Sequence, residues 1–551
     1  MAFEVKQISS LVKLTADHDV QEIKSIQTRK VLKGERFNYQ LALRSDERQK
    51  VKVWVESEFG DSVKLYFVKN VVVDLPSEGN VTNENYLLDK PGFLPDLLVP
   101  AEQQDYKTIV NRFNQSVWVK IDVPKDIPAG KYTVTVNFGI AKLAEFGSEC
   151  TEVVSSTMEI EVAEEQMPPQ SLIYTRWFYL DCISDVHRVD VFSEEHWKLI
   201  EEYIAAAADV GINMLLVPVH TPPLDTEGGT FRPCVQLVDI EKIGDTYHFG
   251  FEKFHRYISI CKKYGIKYYE IAHMFSQWGA RFTPNIMVTE NGKKDYMFSW
   301  NVAANDPEYI AFLKQYIAAI SEELVKEGIA ENTYFHISDE PNLNNTEKYT
   351  TAKNIIKPLI GDSKSFDAIS HVEFAESGLV ECPVTAVGNI HEFLEHHFDN
   401  QWVYYCCGPE RVYTNSFIAM PSARTRILGF LVYKYQIKGF LHWGFNFYNA
   451  TKSWYHINPY LTTSTDGRYA SGDPFIVYPG NETAYPSIRG EVTYEAIQDI
   501  DICVALEKKI GREAVVALID KAAGRDLRFD DYPCDNDFLE GLRAQMIDML
   551  F

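Results

Sequence analysis

The first 168 residues alternate apolar and polar side chains with a period of two. The alternation is clearest in RFNYQLALRS, KVKVWVESEF, SVWVKIDV and KYTVTVNF, which turn-forming residues separate. Successive side chains of a β-strand point to opposite faces of a sheet, so this pattern predicts half-buried antiparallel strands. We therefore expect residues 1–168 to form a β-sandwich domain.

The pattern changes after AEEQMPPQS, which we interpret as a linker. Beyond it, short apolar runs alternate with longer segments of helical periodicity. Eight of these runs are candidate strands: LIYTR (172–176), INMLLVPV (212–219), KYYEIAH (267–273), TYFHIS (333–338), FDAI (366–369), VTAV (384–387), WVYYC (402–406) and GFLHW (439–443). Eight strands separated by helices predict a (β/α)8 TIM barrel, which we place at residues 169–505.

Signals at the ends of helices support this prediction. In DPEYIAFLKQYIAAISEELVKEG, Asp306 occupies the N-cap position, Pro307 the first helical position and Gly328 the stop. A second helix is predicted to start at Ser193 and to end at Gly211. Residues 506–551 carry further helical patterns, so we predict a C-terminal helical segment packed on the barrel.

Composition and charge narrow the classes of function. The chain has 551 residues, of which 46% are hydrophobic and 24% charged, as in soluble globular proteins. Its formal net charge of -24 argues against a nucleic-acid or anionic-membrane partner, because neither is attracted to an acidic surface. No segment reaches the roughly 18 uninterrupted apolar residues of a membrane span. The net charge does not affect the binding of a neutral substrate. It also leaves open whether the protein forms a homo-oligomer.

The start of the chain and its cysteines indicate a cytoplasmic location. The opening MAFEVKQISS lacks the basic and apolar regions of a secretory signal. The nine cysteines are an odd number without a C-x-x-C pair, which argues against a disulfide framework and a structural zinc site. We interpret the adjacent Cys406 and Cys407 as reduced residues on a buried strand. These features predict a protein of the reducing cytoplasm.

Polar and aromatic residues collect where the predicted barrel strands end, which is where the active site of a TIM barrel lies. Strand four ends in two neighbouring acids, Asp339 and Glu340, directly before Pro341. The other strand ends supply the candidate substrate-binding residues Arg176, Trp177, His220, His273, Trp278, His371, Tyr404, His442, Trp443, Asn446 and Tyr448. Aromatic rings stack on sugar rings and polar groups bond to hydroxyls, so we predict a sugar-binding site.

Simpler structural explanations exist for these residues. Neighbouring acids usually mark a solvated loop or the start of a helix, and single histidines are usually hydrogen-bonded parts of the scaffold. The stretch HVEF offers a histidine and a glutamate, but spacing identifies no third metal ligand. No glycine-rich phosphate loop and no G-x-S-x-G nucleophile motif is evident. We therefore expect neither a cofactor nor a metal.

Five stretches together resemble a known family. They are RWFYLDCISD, GINMLLVPVHTPPLDT, KYYEIAHMFSQWGA, YFHISDEP and GFLHWGFNFYN, with HISDEP and FLHWGFNFY as the most specific parts. Over roughly residues 170–505 the sequence is similar to glycoside hydrolase family 123, including relatives known only as a domain of unknown function. The resemblance implies a β-sandwich in front of the barrel and an exo-acting, retaining β-N-acetylgalactosaminidase.

The resemblance also implies substrate-assisted catalysis, in which the 2-acetamido oxygen of the sugar attacks the anomeric carbon. It makes Glu340 the general acid for the departing oxygen. Asp339 is then the carboxylate that orients the acetamide and offsets charge on the oxazolinium intermediate. Repulsion between neighbouring acids suits this scheme, because an adjacent anion raises the pKa of the acid and keeps it protonated near neutrality.

Other functions stay open at the level of the sequence. One is action on a different β-hexosaminide. Another is hydrolysis of a glycoside without an acetamide by two separate carboxylates, with Glu340 as the acid. Its partner would be Glu270, Glu373 or Asp181. A further alternative is a carbohydrate-binding protein on an inactive barrel, which the intact acid pair disfavours.

Overall fold

The computed structural model describes residues 3–79, 85–142, 150 and 152–551. Within these ranges the first domain is the predicted β-sandwich, in which ten strands form two five-stranded sheets of order β1-β3-β8-β5-β6 and β2-β10-β9-β4-β7. The strands are β1 (Glu4–Ser9), β2 (Thr28–Lys33), β3 (Arg36–Arg44), β4 (Gln49–Ser57), β5 (Val63–Val73), β6 (Gly92–Pro100), β7 (Lys107–Ile109), β8 (Gln115–Asp122), β9 (Gly130–Lys142) and β10 (Glu152–Gln166).

The sandwich confirms the period-two prediction with one difference. Inward-facing side chains such as Leu41, Val117 and Val136 are fully buried in a shared core. The described pairings are antiparallel except that of β10 with β2, which is parallel. The second sheet is therefore mixed, because alternation determines which face of a strand is buried but not the direction of its neighbour.

The second domain is the predicted barrel. The strands after the sandwich are β11 (Ile173–Arg176), β12 (Met214–Val217), β13 (Asp239–Ile243), β14 (Thr246–Gly250), β15 (Tyr268–Ile271), β16 (Ile286–Glu290), β17 (Lys293–Phe298), β18 (Thr333–Phe335), β19 (Lys364–Ile369), β20 (Cys382–Ala386), β21 (Trp402–Tyr404), β22 (Gly439–His442), β23 (Tyr478–Pro479) and β24 (Ala484–Tyr485). All eight predicted strands close the barrel in the order β11-β12-β15-β18-β19-β20-β21-β22. This order confirms the predicted fold.

Helices surround the barrel. They are α1 (Leu180–His187), α2 (Glu194–Asp209), α3 (Glu252–Lys263), α4 (Pro307–Lys326), α5 (Thr346–Ile360), α6 (Glu373–Glu376), α7 (Ile390–His396), α8 (Ser422–Arg426), α9 (Leu428–Lys434), α10 (Ile488–Ile510), α11 (Arg512–Ala523) and α12 (Asn536–Leu550). Asp306 caps α4 by accepting from the N–H of Glu308, and Ser193 caps α2. The predicted N-cap at Asp306 is therefore confirmed, and Ser193, the predicted start of the second helix, is the N-cap of α2. Among the described helices, none is long and apolar enough to cross a membrane.

Two local features differ from the sequence-based expectations. Residues 163–166 of the predicted linker continue β10, so the connection between the domains is limited to residues 167–171. The loops that follow β12 and β15 form a four-stranded sheet of order β14-β13-β16-β17, which was not predicted. These short strands lie inside long loops, where local periodicity is too brief to distinguish a strand from a turn.

The sandwich packs on the barrel through α10. Arg489 of this helix forms a buried ion pair with Asp96 of β6 at 3.0 Å. Glu491, which follows Arg489 by two residues in the same helix, lies 3.3 Å from Lys120 of β8. Buried charges are tolerated only when partners satisfy them, so these pairs specify how the two domains fit together. The helix also runs through residue 505, where we had placed a domain boundary.

The C-terminal helical segment is present and contacts both domains. The α12 helix packs against α10 and also against β2 of the sandwich. Its Arg543 is buried and donates to the carboxylate of Glu35. The predicted tail is therefore shared between the barrel and the sandwich.

Candidate active site

A cleft opens at the C-terminal ends of the barrel strands, with about 550 Å³ of empty space that is partly open to solvent. Residues from several strand ends and from the long loop after β22 line it. They are Trp177, Tyr179, Leu224, Asp225, Gln277, Trp278, Asp339, Glu340, Ala368, Tyr404, Cys406, Cys407, Leu441, Trp443 and Tyr469. Both acids that end strand four therefore face the same cleft.

The backbone at Glu340 explains how two consecutive side chains reach one cleft. Along a regular strand they would point to opposite faces. Glu340 instead has a φ of 42°, in the left-handed region that few residues other than glycine adopt. This turn, followed directly by Pro341, redirects the chain so that the side chains of Asp339 and Glu340 both line the cleft.

Each acid has its own hydrogen-bond donor. Gln277 Nε2 donates to Asp339 Oδ2 at 3.0 Å. The hydroxyl of Tyr404 donates to Glu340 Oε1 at 2.7 Å. Burial raises the pKa of Tyr404 well above its usual range, so this hydroxyl keeps its proton. Gln277 follows β15 and Tyr404 ends β21, so distant parts of the barrel position the two acids separately.

The two acids also differ in burial. Asp339 is only 4% exposed, whereas Glu340 is partly open to the cleft. Burial, followed by the proximity of Glu340, raises the pKa of Asp339 well above its usual range. The sequence-based expectation placed this increase at the assigned acid Glu340. The structure shows an increase at Asp339, because that carboxyl loses nearly all of its contact with water.

A charged network lies beneath the acid pair, and the sequence analysis did not predict it. His336 Nε2 lies 2.8 Å from Glu270 Oε2, and His336 Nδ1 lies 3.3 Å from Asp367 Oδ1. Burial alone would lower the pKa of His336, but its hydrogen bonds to Asp367 and Glu270 outweigh this effect and raise it to about 9. Asp367 also accepts from the N–H of Ile337 at 3.1 Å. The network thus holds the backbone that leads into Asp339.

Three members of this region, His273, His336 and Asp367, lie close enough to suggest a metal site. The rings of His273 and His336 are stacked, however, with centroids 3.9 Å apart and planes inclined by 12°. Lone pairs of stacked imidazoles run parallel and do not converge on one ion, and both ring nitrogens of His336 already face carboxylates. We therefore interpret the cluster as an ion-pair network.

Comparison with known families identifies the catalytic domain. Residues 177–506 match the glycoside hydrolase 123 catalytic domain, and residues 12–139 match the glycoside hydrolase 123 N-terminal domain. The chain belongs to glycoside hydrolase family 123. This finding confirms the resemblance seen in the sequence, and family 123 membership supports a glycosidase that acts on glycans.

Solved structures agree with this assignment. The chain is similar to a solved family 123 glycoside hydrolase from Clostridium perfringens, whose structure was analysed for glycolipid glycan hydrolysis. The two structures align with a TM-score of 0.72 and 15% sequence identity, over 100% of this chain and 97% of that chain. At this identity, the likeness establishes the shared fold. A C. elegans MSP family member and a PapD-like domain of human CEP192 align over only 25% and 27% of the chain, at 10% and 12% identity, with TM-scores of 0.14 that carry no weight. Comparison with curated proteins gave no match.

The structure separates the predicted substrate-binding residues of this family 123 protein into two groups. Trp177, Trp278, Tyr404 and Trp443 line the cleft. The others do not line it; they are Arg176, His220, His273, His371, His442, Asn446 and Tyr448. Most of this second group is fully buried, because residues that lie within a barrel strand or behind a loop point into the packed interior.

Several residues of the second group support the cleft from behind. Asn446 bonds to both the N–H and the carbonyl of Tyr179, at 2.9 and 3.0 Å, and so positions a residue that lines the cleft. His220 Nε2 bonds to the carbonyl of His273 at 2.9 Å, and burial lowers the pKa of His220 to about 4. The hydroxyl of Tyr448 donates to the carbonyl of Val477 at 2.9 Å. These side chains already have partners inside the protein.

A second buried cluster underlies Trp443. The indole Nε1 of Trp443 donates to Asp473 Oδ2 at 2.8 Å, and His442 Nε2 lies 3.3 Å from Asp473 Oδ1. Burial raises the pKa of Asp473 and lowers that of His442, so neither group favours its charged form. Asp473 was not predicted, because it lies in the long loop after β22, far from any strand end in the sequence.

That long loop also brings Tyr469 to the cleft, where its hydroxyl donates to Asp225 Oδ1 at 3.1 Å. Asp74, at the end of β5 in the sandwich, accepts from the N–H of Thr463 at 3.1 Å and from the hydroxyl of Ser471 at 3.0 Å. The sandwich therefore braces the loop that completes the cleft. Only the tertiary contact reveals this role, since residues 74 and 463 are remote in sequence.

The carboxylates considered as partners for Glu340 in a two-carboxylate mechanism do not line the cleft. Glu270 is engaged with His336, and Asp181 forms a buried ion pair with Arg232 at 3.2 Å. Glu373 is exposed on α6. Asp225 is the further acid among the described lining residues, and it is not one of the three partners considered from the sequence.

Two substitutions should separate residues that bind substrate from residues that stabilise the cleft. Trp278→Ala removes an indole that is 48% exposed in the cleft, while its backbone N–H can still donate to the carbonyl of Asp339. We expect weaker inhibitor binding and a stability change within about 0.5 kcal/mol. Tyr448→Phe leaves the buried carbonyl of Val477 without its donor and should cost about 1–3 kcal/mol of stability with little loss of binding.

Thermal melts and affinities for a sugar-derived inhibitor, measured side by side on both variants, test this contrast. A large loss of stability in Trp278→Ala with unchanged affinity would contradict a role for Trp278 in binding.

Proposed function

We propose that the protein is an exo-acting, retaining glycoside hydrolase that removes terminal β-linked N-acetylgalactosamine by substrate-assisted catalysis. The observation that carries the proposal is that Asp339 and Glu340 line one cleft, each with a separate hydrogen-bond donor. In this route the sugar supplies its own nucleophile, so two adjacent acids suffice and no carboxylate is needed on the opposite side of the ring.

Glu340 is the proposed general acid and base. It is partly open to the cleft, and Tyr404 holds its Oε1 in one orientation. As the bond from the anomeric carbon to the leaving oxygen breaks, Glu340 gives its proton to that oxygen and the acetamide oxygen bonds to the anomeric carbon. Water then attacks the oxazolinium and returns a proton to Glu340, which restores both the acetamide and the acid.

Asp339 is the proposed partner of the acetamide. Gln277 holds its Oδ2. Burial favours the protonated form of Asp339 in the free protein, but an acetamide N–H that donates to this carboxyl favours the charged form. Substrate binding would thus favour the charged form of Asp339. The anion left on Asp339 faces the positive charge of the oxazolinium.

The aromatic lining supports a sugar as the ligand. Trp177, Tyr179, Trp443 and Tyr469 surround the cleft, and such rings stack on the apolar faces of sugars. Glycolipid glycan hydrolysis by the Clostridium perfringens relative also supports a glycan as substrate. We further propose a cytoplasmic location, which is supported by nine cysteines that are all free.

Substrate preference tests the proposal. We expect hydrolysis of aryl 2-acetamido-2-deoxy-β-D-galactosides, weaker or no action on the gluco epimer, and none on plain β-galactosides. The reason is that the plain galactoside lacks the acetamide oxygen that acts as nucleophile. Initial rates on the three substrates measure this, and comparable rates with and without the acetamide would overturn the proposed mechanism.

One structural observation favours the alternative mechanism with two separate carboxylates, namely that Asp225 also lines the cleft. Both of its oxygens are already engaged, by the N–H of Lys452 at 3.0 Å and by the hydroxyl of Tyr469 at 3.1 Å. A carboxylate held in this way faces the loop and is poorly placed to attack a sugar. Covalent labelling of Asp225 by a fluorosugar would favour the alternative.

A further inference from the structure

Cys406 and Cys407 form a pair of thiols inside the cleft. The sequence analysis interprets them as reduced residues on a buried strand, but β21 ends at Tyr404 and both cysteines follow it in the bend that leads to Gly408. Both are partly exposed, both line the cleft, and their Sγ atoms lie 3.8 Å apart. The other seven cysteines are single residues along the sequence.

The spacing of the two sulfurs does not favour a direct bond between them. A disulfide needs a separation of about 2 Å and usually joins Cα atoms that are about 4.4–6.8 Å apart. The Cα atoms of neighbouring residues are only about 3.8 Å apart across a trans peptide, so a disulfide here would be strained.

The same spacing fits two ligands of one metal ion. In a tetrahedral site with metal–sulfur distances of about 2.3 Å, two thiolates lie about 3.8 Å from each other. The observed Sγ–Sγ distance has this value before any ion binds. Both sulfurs could therefore coordinate one ion without a rearrangement of the backbone.

We propose that Cys406 and Cys407 form a dithiol site that binds one soft, thiolate-preferring divalent cation, and that the bound ion blocks the cleft. Each thiol loses its proton and forms one sulfur–metal bond, and no atom is oxidised or reduced. Water completes the coordination.

The surroundings of the dithiol add attraction for a cation and explain the block. The acids Glu340 and Asp225 line the same cleft as the two thiols. An ion at the dithiol would occupy space in the cleft that the sugar is proposed to fill. This inhibitory effect rests on the proposed function, whereas binding of the ion does not.

Binding is tested without substrate, with Cd²⁺ as the probe. We expect titration of the reduced protein to give a thiolate-to-cadmium charge-transfer band in the ultraviolet that saturates at one ion per chain. The band should be lost in Cys406→Ser and in Cys407→Ser and kept in Cys534→Ser, a control in which a partly exposed cysteine outside the cleft is changed in the same way. A crystal soaked in Cd²⁺ should show the ion between the two Sγ atoms. A band that survives both cleft substitutions would overturn the site.

Inhibition is tested on the same four proteins, with each rate expressed relative to that protein's own rate without cadmium. Cd²⁺ should inhibit the wild type and Cys534→Ser, a dithiol chelator should reverse the inhibition, and the inhibition curve of each cleft variant should shift to higher Cd²⁺. Binding at the dithiol without inhibition would overturn the block and leave the ion site standing. Absence of glycosidase activity from the untreated wild type would count against the proposed function, while the ultraviolet band would still report on the site.

Discussion

Glu340→Gln is expected to lower the hydrolysis of an aryl 2-acetamido-2-deoxy-β-D-galactoside with a poor leaving group by about 100- to 10,000-fold, the range typical of a lost general acid. The amide fits the same space and can still accept from Tyr404, so the fold and the cleft should be retained. It cannot give a proton to the departing oxygen. Substrates whose leaving group needs no proton, such as a dinitrophenolate, should therefore lose the least activity.

A plot of rate against the pKa of the leaving group, measured for wild type and variant, tests this expectation. Glu373→Gln is the matched control, because Glu373 is an exposed glutamate on α6 that does not line the cleft. It should behave like the wild type. An equal loss in Glu340→Gln for good and poor leaving groups would show that Glu340 does not act as the acid.

Asp339→Asn is expected to lower activity by about 100- to 1000-fold, the usual effect of removing one group that stabilises developing charge, and to do so equally for good and poor leaving groups. The substitution keeps the proposed acid but removes the anion that faces the acetamide. Attack by the acetamide oxygen itself is then impaired. The asparagine can still bond to Gln277, so the change acts mainly through charge.

A thiazoline that mimics the oxazoline intermediate gives an independent readout. It should inhibit the wild type strongly and bind much less tightly to Asp339→Asn, because the variant lacks the charge that matches the intermediate. Asp362→Asn is the matched control, since Asp362 is exposed and does not line the cleft. Equal thiazoline affinity in wild type and Asp339→Asn would show that Asp339 does not have the assigned role. Covalent labelling of a carboxylate by a fluorosugar would show that the enzyme, and not the acetamide, supplies the nucleophile.

These two experiments also examine the charge of Asp339 when substrate is bound. Burial disfavours the charged form of Asp339 in the free protein, yet the proposed mechanism needs that charged form when substrate is bound. The acetamide must therefore favour the charged form of Asp339. If so, the leaving-group dependence of Asp339→Asn should stay close to that of the wild type, because the acid itself remains in place.

The sequence by itself determined the architecture and the region of the active site. Period-two alternation predicted the sandwich strands, and the eight apolar runs predicted the eight barrel strands, because both signals depend on local backbone geometry. The N-caps at Ser193 and Asp306 were predictable for the same reason. Once a barrel is recognised, the rule that its sites lie at the strand ends leads directly to Asp339 and Glu340.

The tertiary structure alone decided which candidates share the cleft and which are scaffold. Arg176 directly precedes Trp177, and His442 directly precedes Trp443. Arg176 and His442 are fully buried, whereas the two tryptophans line the cleft. Tyr469 reaches the cleft through a loop that Asp74 of the other domain holds in place. Such placement depends on contacts between residues that are hundreds of positions apart, and no local pattern records them.

The raised pKa of Asp339 is also a feature that only the tertiary structure decided. Two adjacent acids predict that one of them holds its proton more firmly, since like charges cannot both ionise easily. Which of the two does so depends on how much water each carboxyl loses and on the donors and charges that packing brings near, here Gln277 and His336. Burial and long-range contacts are properties of the folded chain, so the sequence predicted the pair and its repulsion, and only the fold assigned the raised pKa to Asp339.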